Sequence, residues 1–281
     1  MAPSQPTECA NPFSLAGRVA VITGGAGLLG KQHAAAIASA GGTVVLADVS
    51  PERVEHAASE HARQFATPVL GTNVDITNPH EVSSLRDRVL ERFGRVDILI
   101  NNAANNPKMD GSGKAELGRL EDFPLASWQA DLDVGLTGAF LCSQAIGTEM
   151  AKKRRGVILN VASDLAVIAP DQRIYRQPGK AENLQPVKPV TYSVVKTGLI
   201  GLTRYLATYW ADAGVRVNAI SPGGVFAGQP KEFVDQLSSR IPLGRMARVD
   251  EYQGAILFLC SDASSYMTGA NLIVDGGRSC W

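Results

Sequence analysis

Cysteine is scarce and scattered: Cys9, Cys142, Cys260 and Cys280 lie far apart with no CxxC spacing, which leaves no basis for a thiolate metal site or a disulfide framework. Idle or buried thiols are expected, with Cys280 the exposed exception. Aromatic residues make up only 6% and charged residues 19%, against 45% hydrophobic, the balance of an ordinary globular protein rather than a fibrous or disordered one. Neither sign of charge dominates, since 27 basic side chains offset 27 acidic ones. That excludes a global field drawing the protein to nucleic acid or to an anionic membrane, and makes a small molecule the default partner. No apolar run is long enough to span a bilayer, and Met1 to Ala10 has neither a basic n-region nor an apolar h-region, so the chain is expected in the cytoplasm.

What is present is an alternation of short β-branched runs and helical spacings. Strands are predicted at 18–23, 43–48, 68–74, 97–100, 157–161, 215–220 and 271–275, with helices at 31–40, 51–65, 78–93, 127–153, 192–213 and 251–261. Ser50 before Pro51 reads as a helix N-cap. Such an alternation means right-handed βαβ units and an α/β fold with a doubly wound, mostly parallel sheet. Three stretches break the rhythm, 102–120, 165–190 and 222–248, and long irregular segments in a compact domain are usually binding loops. No linker separates domains, so 15–281 reads as a single domain after a flexible segment 1–14.

Between the first strand and the first helix lies Thr23-Gly-Gly-Ala-Gly-Leu-Leu-Gly30. Glycines there permit a tight turn and let a pyrophosphate reach the N–H groups of a helix N-terminus. Asp48, ending the second strand, stands where a carboxylate accepts from the adenosine ribose hydroxyls and repels the 2′-phosphate of NADP, and no Arg or Lys lies inside the turn. NAD is the cofactor expected.

Tyr192 and Lys196 are four apart on a predicted helix and share a face. An ammonium close to a phenol favours the phenolate, lowering its pKa from about 10 and making Tyr192 a usable general acid or base. Ser163, at the carboxyl end of the fifth strand, is placed to hydrogen-bond a substrate oxygen.

In order along the chain, Thr23-Gly24 through Gly30, Asp75, Asn101-Asn-Ala-Ala104, Ser163, Tyr192-x-x-x-Lys196, Val217-Asn218 with Pro222-Gly223, and Asp275-Gly-Gly277 resemble the short-chain dehydrogenase/reductase family from about Leu15 to Gly277. The resemblance implies a Rossmann-type domain with a seven-stranded sheet flanked by helices, transferring a hydride between NAD(H) and a secondary alcohol or ketone. It implies Ser163, Tyr192 and Lys196 as catalytic residues, Lys196 also reaching the nicotinamide ribose. Around the cofactor it implies Gly24, Gly27, Leu28, Leu29, Gly30, Asp48, Asp75, Asn101, Ala103, Tyr192, Lys196, Pro222, Gly223 and Val225. It implies no metal, and a homodimer or homotetramer built through the 127–153 and 192–213 helices and the last strand.

The sequence departs from the family at four points. Leu28 stands where a Gly is usual, and Gly135 where an Asn holds a relay water, leaving that role to a backbone carbonyl or to Asp133. Ala227 stands where a Thr often touches the nicotinamide amide. Ser163 and Tyr192 are 29 positions apart, beyond the usual spacing, so an active-site loop is inserted at 165–190, carrying Arg173, Arg176, Lys180 and Lys188 alongside Asp171 and Glu182. Its arginines offer a fork to an anionic group. With this loop, Ser221 to Phe226 and Gln229-Pro230 resemble a subgroup of bacterial surface-sugar pathways, which implies a phosphorylated or nucleotide-linked sugar. The alternatives are a 3-oxoacyl thioester reductase, which usually prefers NADP, and a non-catalytic dinucleotide sensor.

Overall fold

The computed structural model describes residues 11–105 and 118–281. Much of the 102–120 stretch, and residues 1–10 of the N-terminal segment, therefore lie outside the described residues.

Seven strands form one sheet: β1 (Val19–Thr23), β2 (Thr43–Asp48), β3 (Val69–Asn73), β4 (Ile98–Asn101), β5 (Gly156–Val161), β6 (Val215–Pro222) and β7 (Asn271–Val274). Their order is β3-β2-β1-β4-β5-β6-β7 and every pairing is parallel, so the sheet expected to be mostly parallel is wholly so. The inner strands read VAVIT, ILIN and GVILNV and are buried throughout, as a parallel sheet covered on both faces requires. Successive residues serve opposite faces: Ala20 and Ile22 join one apolar cluster, Val19 and Val21 the other.

The first face is covered by α1 (Leu28–Ser39), α2 (Pro51–Gln64) and α8 (Gln253–Cys260), through Ala34, Ile37, Val54, Ile256 and Leu259. The second is covered by α3 (Pro79–Phe93), α5 (Gly138–Lys152) and α6 (Val190–Tyr209), through Leu85, Val89, Ile146, Met150 and Leu206. The expected cap at Ser50 forms, its side chain accepting from Arg53 N, with Pro51 fixing the first turn. No helix among the described residues is long and apolar enough to cross a membrane.

Two elements differ from expectation. The helix expected over 127–153 is interrupted: α4 (Leu125–Leu132) leads into a π-turn at Asp133–Thr137 before α5 begins. At its centre a Cβ on Gly135 would lie 2.4 Å from Val195 Cγ1, so the bulge and α6 approach as closely as a residue without a side chain allows. The stretch 222–248, expected to be irregular, contains α7 (Lys231–Ser238). Phe233, Val234 and Leu237 face inward from it and pack with Ile174 of the insertion, Ile241 and Met246 in a third apolar cluster.

From β1 the chain runs outward to β3 and then returns to β4 on the other side of β1. The carboxyl ends of β1 and β4 thus border the crevice where doubly wound sheets bind ligands.

Candidate active site

The glycine turn is compressed against itself and against β4. Gly24 has φ +61°, and a Cβ there would meet Ala103 Cα at 2.9 Å; one on Gly30 would meet Gly24 O at 2.3 Å. Gly27 caps α1 with no side-chain bond, leaving first-turn N–H groups for a ligand, while Leu28 is 51% exposed and Leu29 half-buried. The bulk at position 28 thus projects outward and does not fill the turn.

Asp48 is buried at the end of β2; its Oδ2 accepts from Ala26 N at 3.1 Å and its Oδ1 from Ser50 N at 3.3 Å. The carboxylate is thereby fixed beside the turn. Folding also brings in a cation that local reading of the turn missed: Arg53 Nη2, on α2, donates to Ala26 O at 3.3 Å. A close-packed glycine cradle, a bare helix N-terminus and an oriented carboxylate fit a dinucleotide.

The remaining expected cofactor residues divide by environment. Asp75 Oδ1 accepts from Thr77 N and Oγ1, closing the turn after β3. Asn101 turns into the core, where its Nδ2 donates to Ser143 Oγ and Asn160 Oδ1, so its side chain supports the sheet rather than facing the crevice. The clamp at this strand end is its neighbour: Asn102 Nδ2 donates to Thr23 O and Gly24 O, and the Asn102 and Ala103 N–H groups donate to Thr23 Oγ1. Beyond Pro222, a Cβ on Gly223 would meet Asp275 Cα at 2.8 Å, and Val225 O accepts from Gln229 Nε2.

Ser163, Tyr192 and Lys196 meet at the carboxyl edge. The Ser163 hydroxyl stands beside the Tyr192 phenol, Ser163 Oγ donates to Asp164 Oδ1 at 2.9 Å, and Lys196 Nζ donates to Val161 O at 2.7 Å. Burial pushes the Lys196 ammonium down to about 8. The expectation that Lys196 depresses the tyrosine is corrected: burial raises the Tyr192 phenol, the Ser163 hydroxyl lowers it, and Asp164 raises it. Lys196 Nζ lies 5.9 Å from the ring centroid and is drawn to a carbonyl, so desolvation outweighs its field. Asp164 is in turn paired with Arg278.

Asp133, one of the groups to which the relay could fall, has its Oδ1 accepting from Gln129 Nε2. Gly135 lines a cleft with Asp131, Lys188, Tyr192 and Lys196. The family described as Enoyl-(Acyl carrier protein) reductase matches residues 25–279. Over 270 residues the chain is 34% identical to a D-threitol dehydrogenase of Mycolicibacterium smegmatis, covering 94% of each. The chain is a short-chain dehydrogenase/reductase. It is as similar, at 34% over 273 residues, to an NAD-dependent glycerol dehydrogenase of Listeria innocua, covering 94% of this chain and 95% of that one. A solved structure of NAD+-bound xylitol dehydrogenase superposes with a TM-score of 0.82 at 28% identity, covering 94% of this chain and 99% of the other. As a member of this family the protein is an oxidoreductase of alcohols or ketones.

In this short-chain dehydrogenase/reductase the insertion does not present its arginines to the crevice. Arg173 pairs with Asp171 at 2.9 Å and Arg176 with Glu182 at 2.5 Å, both on the surface, and Lys180 is exposed. Lys188 is the insertion's cation that lines the cleft.

Proposed function

We propose that the protein transfers a hydride between NAD(H) and the carbinol carbon of a small polyhydroxylated alcohol or its ketone. The observation that carries this reading is that the buried Ser163 hydroxyl and the half-buried Tyr192 phenol come together at the carboxyl edge of the sheet, with the buried Lys196 beside them. In oxidation, Ser163 holds the substrate hydroxyl and Tyr192 takes its proton; in reduction the same phenol returns a proton to the carbonyl oxygen. Lys196 supplies the positive charge near the phenolate. The nicotinamide, when bound, supplies the hydride acceptor or donor. Gly24, Gly27 and Gly30 with the first turn of α1 would hold its pyrophosphate, and Asp48 its adenosine ribose.

A polyol fits better than the phosphorylated or nucleotide-linked sugar implied by the 221–230 stretch. The arginines that would grip a phosphate are engaged by Asp171 and Glu182, while the cleft offers Asn105, Asp131 and Thr191 as polar lining. The named activities of the D-threitol, glycerol and xylitol dehydrogenases point the same way.

Arg53 favours a second reading of the cofactor, because a guanidinium beside Asp48 offers a partner for a 2′-phosphate. Nicotinamide fluorescence with NADH and NADPH decides between them. Preferential NADH binding that weakens in Asp48→Ala supports NAD; NADPH binding lost in Arg53→Ala overturns it. We also infer a homo-oligomer, since Tyr205 and Tyr209 on α6, each 64% exposed, stack 5.8 Å apart on its outer face. Light scattering tests this, and a monomeric mass excludes it.

A further inference from the structure

The insertion hands the site one side chain that the reaction above does not use. Lys188 Nζ lies 3.7 Å from the centroid of the Tyr192 ring, nearer than Lys196 Nζ at 5.9 Å. The loop is built to keep it there: Lys188 N donates to Gln172 Oε1 at 2.8 Å and Gln172 Nε2 donates back to Lys188 O at 3.3 Å. Pro186 and Pro189, both buried, bracket this residue and fix the backbone on either side.

We propose that Lys188 is a positioning cation for Tyr192: seated on the ring face, its ammonium acts with Lys196 to favour the phenolate on which proton transfer depends. The inference rests on Tyr192 being the acid/base of the proposed reaction. A cation over an aromatic face is attracted to the ring quadrupole, and the attraction grows when the ring bears a negative charge. Burial lowers the Lys188 ammonium to about 8, which leaves it charged at neutral pH, and a phenolate formed against it would hold that charge to higher pH. Among the described residues, the other ionisable groups around the phenol are Lys196 on α6, Asp164 after β5 with its partner Arg278, Tyr175 on the insertion, and Asp131 on α4, which lines the same cleft and whose carboxylate accepts from Thr191. Asp164 opposes the phenolate, and Arg278 offsets it. The phenol and the two lysines therefore titrate as a coupled group.

The test is a tyrosinate absorbance titration, with the Tyr192→Phe difference spectrum isolating this phenol, alongside the pH profile of kcat. In Lys188→Met the Tyr192 midpoint is expected to rise by about one pH unit or more, with the kcat profile moving the same way and Lys188→Arg restoring most of the shift. An unchanged midpoint overturns the proposal, and so does a change confined to KM, which would make Lys188 a substrate contact. If circular dichroism shows that Lys188→Met does not fold, Gln172→Ala carries the test: a smaller rise supports the proposal and no rise overturns it. Near-normal turnover in Tyr192→Phe would sink the acid/base reading instead, because the spectroscopic midpoint reports on Lys188 without turnover.

Discussion

Arg278 Nη1 donates to Asp164 Oδ2 at 2.7 Å, an ion pair with side chains only 8% and 4% exposed. Through it the segment after β7 reaches the residue that accepts the Ser163 hydroxyl, which stands beside Tyr192. The Ser163 and Tyr192 hydroxyls are thus oriented from a point more than a hundred residues away in sequence.

Removing one partner of this pair leaves a buried charge without compensation. Arg278→Ala is expected to cost about 3–5 kcal/mol in urea unfolding and to lower turnover. The double variant Arg278→Met with Asp164→Leu should recover much of the stability but not the turnover, because Ser163 would still lack its acceptor. A single variant as stable as the wild type would show that the pair contributes nothing.

Restoring a side chain at Gly135 should fail for a packing reason. With Val195 Cγ1 2.4 Å from the Cβ position, Gly135→Ala is expected to destabilise by about 1–3 kcal/mol. Val195→Ala in the same chain should relieve part of that cost. Thermal melts of the two variants and the wild type measure it, and equal midpoints for Gly135→Ala and wild type would count against the close approach.

His33 gives the protein an acid limb. Burial lowers this imidazole to about 4, whereas the unfolded chain takes up the proton near 6.5. Between those values the unfolded state binds more protons, so stability rises with pH across that window and falls as pH drops from 6.5 to 4. The contribution approaches roughly 3 kcal/mol at the acid end. Urea midpoints at pH 7 and pH 4.5 should converge in His33→Leu; a slope unchanged from wild type would assign the acid limb to other groups.

The strands were legible because a parallel sheet buried on both faces reads as apolar runs between breakers, and Ser163, Tyr192 and Lys196 because spacing places them at one edge. Other features depend on partners distant in sequence. The resemblance puts the Asn101 backbone beside the cofactor, but that its side chain is drawn inward by Ser143 and Asn160 while Asn102 clamps the glycine turn is visible only in the fold. The apolar spacing of Phe233, Val234 and Leu237 marks α7, yet an eight-residue helix between loops gives too short a period to stand out. The direction in which Tyr192 is shifted depends on how dry the site is, and burial is a property of the whole fold rather than of a four-residue spacing.

The cluster of Ile174, Leu237, Ile241 and Met246 stands apart from the two that sandwich the sheet. A separate apolar cluster is expected to open as a unit of its own. Its amides and those of α7 should lose hydrogen-exchange protection together, under milder denaturant than the strands require.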